Sequence, residues 1–288
     1  MFGLVSETLA FWVKPHIEWF IALLLALACL RVGPHLALGA KKDLKASLLF
    51  SLGLQLLLPL LLIALFRLFG FDHPLALAII LLTAAPSISS SPHLITLLGH
   101  DPAPALRLLI VGVALLPVTI IPVLLLIPDT GGFSDIAIAS LRLLLVIALA
   151  AGLAFVIRKT WLTNPTKRDF ERLDGMSTIL LGVVVLGLMS AIHAEIERDI
   201  GNILITLAVA TLVNIGLQIL AALLLFRSPA RNYTVAVGLI AGNRNIALFL
   251  TALAVMSTQP ILLFLACYQV PMYLTPMLMG RFYRKLSD

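Results

Sequence analysis

Apolar runs recur along the whole chain, separated only by short charged or Pro/Gly-bearing junctions, and ~20 mostly apolar residues are what a helix needs to cross a bilayer. Cutting at the junctions gives nine segments: 17–39, 46–69, 74–98, 103–127, 136–158, 175–193, 201–226, 232–256 and 259–280. The pattern predicts an all-α membrane protein of about nine transmembrane helices with short loops, the longest running from Lys159 to Asp174. Residues 1–15 have no basic leader region, and Phe2, Leu4, Leu9, Phe11 and Trp12 read as a short interfacial stretch ahead of the first span.

Two of the nine segments carry their own interruptions. The third holds Pro86 and Pro92 with serines between them, and two prolines that close together do not fit an unbroken helix. The eighth holds Gly242-Asn243-Arg244-Asn245. Gly242 weakens the helix there, the two asparagines compete for backbone hydrogen bonds, and a guanidinium near the bilayer centre costs from ~2.5 to more than 10 kcal/mol. Both segments are therefore expected to be discontinuous helices that cross. The breaks fall in the third helix of two four-span units, 17–127 and 175–280, and the single linking span 136–158 makes the units enter the membrane from opposite faces. That is the arrangement of two inverted repeats, related here by position and not by repeated words.

Composition removes the alternatives to a membrane protein. With 61% hydrophobic and 12% charged residues and a mean hydropathy of +1.09, the chain has too little polar surface to cover a soluble domain. Its net charge of +6 is not gathered into a basic block, so no nucleic-acid partner is expected. The charge instead sorts by side. Lys41, Lys42, Lys45, Arg107, Arg158, Lys159, Lys167, Arg168, Arg172, Arg227, Arg231, Arg281, Arg284 and Lys285 fall on the C-terminal side of the nine-span scheme, against Lys14, Arg67 and Arg198 on the other. The positive-inside bias then puts the C-terminus in the cytoplasm and the N-terminus outside, in a membrane expected to be the bacterial inner membrane.

The remaining chemistry is sparse. Arg31, beside Gly33-Pro34 and His35, and Arg142 read as headgroup anchors near span ends; His193, Glu195, Glu197, Arg198 and Asp199 read as a solvated turn; Tyr268, Gln269 and Tyr273 read as packing and interface residues. Cys29 and Cys267 match no metal or redox spacing and read as core residues. No Ser-His-acid order, zinc-ligand spacing or Gly-rich phosphate loop is present, so neither enzyme chemistry nor a cofactor is expected.

At its two interruptions the sequence resembles the bile acid/sodium symporter family, whose members carry a Pro-Gly-Gly-Thr-Ala-Ser-Asn segment in one crossed helix and Gly-x-Gln-Asn in the other. Pro86 to Leu98 with Gly99-His100-Asp101 is similar to the first, Gln55-Leu56-Leu57-Leu58-Pro59 to the Gln-to-Pro run of an earlier helix, and Gly242-Asn243-Arg244-Asn245 takes the place of the second. The likeness covers most of the chain and implies a panel domain and a core domain around a midplane site for a small organic anion. Of the family's sodium ligands, Ser91 and Gln55 are kept, whereas the motif asparagine is Pro92, the glutamate is Ile240 and the glutamine is Arg244. Sodium needs oxygen ligands, so no metal site is expected, and Arg244 supplies the positive charge that bound ions would have left.

The expected function is secondary active transport of a small organic anion by alternating access, with membrane lipid as a further partner. The expected substrate contacts are Arg244, Asn243, Asn245, Ser89, Ser90, Ser91, Gln55 and His93, at helix breaks made by Pro86, Pro92 and Gly242. Ser89 to Ser91 and Pro92 also fit the cap of a restarted helix, and Gln55 and His93 fit interhelical packing equally well. An unpaired Arg244 facing two half-helix N-termini would make the crossing positive. Two alternatives stand beside this: a sodium- or proton-coupled symporter using other ion ligands, and a non-transporting receptor or binding protein on the same fold. Substrate identity, coupling and oligomeric state are not written in the sequence.

Overall fold

The computed structural model describes residues 7–39, 43–128, 131–253 and 258–287; Phe2, Leu4, Lys41, Lys42 and the end of the eighth segment at 254–256 lie outside them, as does the side chain of His35. Among the described residues every regular element is helical, apart from one isolated β-bridge between Ser87 and Arg244. In chain order the α-helices are α1 (Glu7–Val13), α2 (Ile17–Gly39), α3 (Leu44–Leu68), α4 (Pro74–Ala84), α5 (Ser91–Leu97), α6 (Ala103–Leu125), α7 (Phe133–Thr160), α8 (Lys167–Ile196), α9 (Ile200–Phe226), α10 (Thr234–Gly242) and α11 (Gln259–Ser287). Among the described residues seven stretches are long and apolar enough to cross a membrane, and the chain is an integral membrane protein.

The burial pattern is that of a protein dissolved in lipid. Helix α9 buries Thr206, Ala210, Asn214, Gln218 and Ala222, a stripe of small and polar side chains at every fourth residue, and turns Leu212, Leu220 and Leu224 outward. Helix α3 does the same with Ser47, Ser51, Gln55, Pro59 and Ile63. Lipid tails are as apolar as leucine, so helices associate through close-packing small residues and hydrogen bonds. Helix α9 packs along α10 and α11, α3 along α6, and α2 along α7 and α8.

Several boundaries differ from the sequence reading. Leu9, Phe11 and Trp12 belong to α1, which continues through a 3₁₀ turn at Lys14–His16 into α2, so that Thr8–Val32 forms one spanning stretch. The N-terminal segment is seated on α8, where Val13 and Ile17 lie so close that a Cβ on Gly187 would meet each at 2.9 Å. The supposed long loop from Lys159 to Asp174 is mostly helix, because Thr166 accepts from the Asp169 N–H and starts α8 at Lys167. The turn after α8 is not wholly solvated either: Glu195 is buried and accepts from Asn202 Nδ2 at 2.5 Å.

Candidate functional site

Helix α4 ends at Ala84, two residues before Pro86, and the chain resumes as α5 at Ser91 with Pro92 in its first turn. Helix α10 ends at Gly242 and is followed, after Asn245, by a 3₁₀ helix at Ile246–Thr251 and not by a second α-helix. The two interruptions pair with each other. Asn245 donates its backbone N–H to Pro86 O at 2.8 Å and Ile88 donates to Asn243 O at 3.2 Å, which makes the Ser87–Arg244 bridge. Backbone groups that a break would leave unpaired in lipid are thereby satisfied. Gly242 is required for a closer reason than helix propensity: a Cβ there would lie 2.1 Å from Asn214 O and 2.6 Å from Gln218 Cγ. Its carbonyl accepts from Asn214 Nδ2 at 2.6 Å and from the Tyr268 hydroxyl at 2.5 Å, and that hydroxyl accepts the Arg244 N–H at 2.8 Å.

Arg244 is 1% exposed and faces no carboxylate among the described residues. Its guanidinium donates to three carbonyls instead: Nη1 to Ala85 at 3.0 Å, Nη2 to Leu54 at 3.2 Å and Nε to Ala241 at 3.4 Å. Ala85 caps the C-terminal end of α4 and Ala241 lies in the last turn of α10, so both carbonyls carry the negative pole of a helix. Two such poles hold the guanidinium locally, but each is one end of a dipole, so the unit charge of Arg244 stays in the site. Leu54 is released by local sequence. It lies in a π-helical turn, Gly53–Leu57, where the Leu58 N–H donates to Gly53 O, and the next residue, Pro59, has no N–H to give. The expected unpaired arginine facing helix N-termini is therefore corrected: Arg244 is a cation that caps helix C-termini.

A cavity of about 230 Å³ opens beside it, walled by α2 and α8 on one side and by the two interruptions and α11 on the other. Of the expected contacts, Arg244, Asn245, Ser89, Ser90 and His93 line it. Three do not. Ser91 is buried and accepts from the Ser87 hydroxyl at 2.8 Å. Asn243 turns to the opposite side, where its Oδ1 accepts from Thr275 at 3.0 Å and Asn214 at 3.3 Å in a network that Gln218 extends to Tyr283. Gln55 donates to Gly112 O at 3.2 Å and, with Arg244, Ser51 and Ile240, borders a separate void of about 10 Å³, the size of one water.

No protein-family model and no curated protein matches the chain. The geometry alone therefore ranks its residues.

Sequence reasoning missed several of them. Arg31, read as an anchor, holds Asp174 across the mouth of the cavity, Nε to Oδ1 at 2.5 Å and Nη2 to Oδ2 at 3.0 Å, with side chains 41% and 45% exposed. Gln269 and Tyr273, read as packing residues, line the cavity, and Tyr268 ties Gly242 to Arg244. The available signal was polarity at helical spacing. Asn214 and Gln218 are four apart in an otherwise apolar run, and polar residues in spans face the protein interior.

Proposed function

We propose that the chain is a secondary carrier that moves a small organic anion across the membrane by alternating access, with Arg244 standing where related carriers bind sodium. In this reading nine spans form two inverted repeats, 17–127 and 175–280, joined by 136–158, with panel and core domains that hinge about the cavity, the N-terminus outside and the C-terminus in the cytoplasm of a bacterial cell. The matching polar stripes of α3 and α9, each the second span of its unit, support the repeat.

The observation that carries the reading is the set of carbonyls around Arg244. A break in a spanning helix releases carbonyl oxygens, and a cation is what such oxygens attract. Here Ala85, Leu54 and Ala241 already receive N–H donors from a permanent cation, which leaves a second cation neither ligands nor a favourable field. The positive charge remains at the floor of the cavity, where an anion is favoured. Counterflow of radiolabelled butanoate, hexanoate and hexanesulfonate in proteoliposomes tests this. Exchange that is unchanged when sodium is replaced by choline is expected. A steep sodium requirement overturns the substitution, and binding without counterflow overturns the carrier.

A further inference from the structure

Arg244 lends the cavity its charge, but three of its five N–H donors are spent on backbone carbonyls. A guanidinium already arranged to grip a carboxylate is found elsewhere in the same cavity. Arg31 presents Nε and Nη2 side by side to the two oxygens of Asp174, the fork-to-carboxylate geometry in which arginine binds most selectively. The pair is not needed to hold its helices together, because Leu27, Leu30 and Leu173 bury an apolar cluster between α2, α7 and α8 beside it. It is also half exposed, so a solute can reach it.

The wall running inward from this pair is graded. Taken in antiparallel order, α2 and α8 contribute Arg31 with Asp174, then Ala28 with Ser177, Leu24 with Leu181, and Ile21 with Val184. Ten residues of helix make that wall roughly 15 Å long, charged at one end and aliphatic at the other. We propose that Arg31 is the carboxylate anchor of an amphipathic monocarboxylate, with Asp174 as the resident stand-in that the substrate displaces and the aliphatic wall as the seat of its apolar body. A volume of about 230 Å³, below the ~300–1,000 Å³ of drug-sized sites, limits that body to a short chain or a single ring. Displacement releases Asp174 to solvent at the mouth, where it is hydrated at little cost. The anchor presupposes the anion reading of this cavity but makes its own demand, since removing an acid should tighten the binding of an acid.

Titration calorimetry with hexanoate and hexanesulfonate on the protein in nanodiscs tests it. Asp174→Asn should bind hexanoate about tenfold more tightly than the parent, because the neutral amide competes poorly for Arg31. Arg31→Gln should lose at least tenfold, the range of one charge-assisted contact, with Arg31→Lys intermediate because it keeps the charge without the fork. Hexanoate binding that Asp174→Asn leaves unchanged or weakens, or that Arg31→Gln leaves unchanged, overturns the anchor. Sulfonate binding with no hexanoate binding in parent or Asp174→Asn also overturns the anchor but keeps the anion reading of the cavity, with counterflow of the sulfonate deciding the carrier. Tightened hexanoate binding without counterflow keeps the anchor and overturns the carrier.

Discussion

Arg31 and Arg244 line one cavity, yet the first is half exposed and grips a carboxylate, whereas the second is 1% exposed and its guanidinium donates to backbone carbonyls. The difference separates two ways of keeping a cation in an apolar wall. An exposed pair such as Arg31–Asp174 gains ~0–1 kcal/mol from its partner, since water screens both charges, and is correspondingly easy to exchange. Arg244 has no counter-charge that can leave. Its partial negative charges belong to the interruptions themselves, so the cation and the break stabilise each other.

The largest effect expected from this contrast is on stability. Arg244→Met fills similar space but leaves the carbonyls of Ala85, Leu54 and Ala241 buried without donors, at ~1–3 kcal/mol for each group. Relief of the guanidinium's own burial offsets part of that, so a net loss of about 3 kcal/mol is expected. Thermal unfolding in detergent, compared with Arg31→Met, measures it. Equal melting shifts for the two variants would erase the contrast.

A smaller and more selective effect comes from rebuilding an ion's requirements. Ile240 borders the same small void as Arg244, Gln55 and Ser51, so Ile240→Glu with Arg244→Gln adds a carboxylate among oxygens that have lost their cation. Sodium at tenfold over its dissociation constant should then stabilise the double variant by ~1.4 kcal/mol, with no such effect of choline and none of sodium on the parent. Stabilisation of the parent by sodium would show that oxygen ligands for an ion remain elsewhere.

The two interruptions were legible in the sequence because Pro86, Pro92, Gly242 and Arg244 each break a local rule that lipid enforces. What the breaks do to each other was not. Which way a side chain leaves an irregular backbone depends on dihedrals that no periodicity encodes, so Asn243 and Asn245, two residues apart, were expected on one site and instead face a polar network and the cavity. Pro59 was visible only as part of a motif, and its physical role, freeing the Leu54 carbonyl, needs the π turn before it. Arg31 and Asp174 were hidden by distance in the chain. Each lies near a span end, where a charge has an ordinary explanation, and only the antiparallel packing of α2 on α8 brings them together.

The smallest effect expected is the one that makes Arg31 exchangeable. Asp174→Asn removes the carboxylate from a pair whose side chains are 41% and 45% exposed, and the apolar cluster of Leu27, Leu30 and Leu173 continues to hold α2 and α8. The stability change should be within ~1 kcal/mol and should shrink as salt is raised, because screening has already weakened what is being removed. Unfolding of the parent and Asp174→Asn at low and high ionic strength measures both features. A salt-insensitive loss of 3 kcal/mol or more would place the pair in a dry interior like that of Arg244, where removing one partner strands the other charge. Both arginines would then be fixed parts of the wall, and no solute could trade places with Asp174.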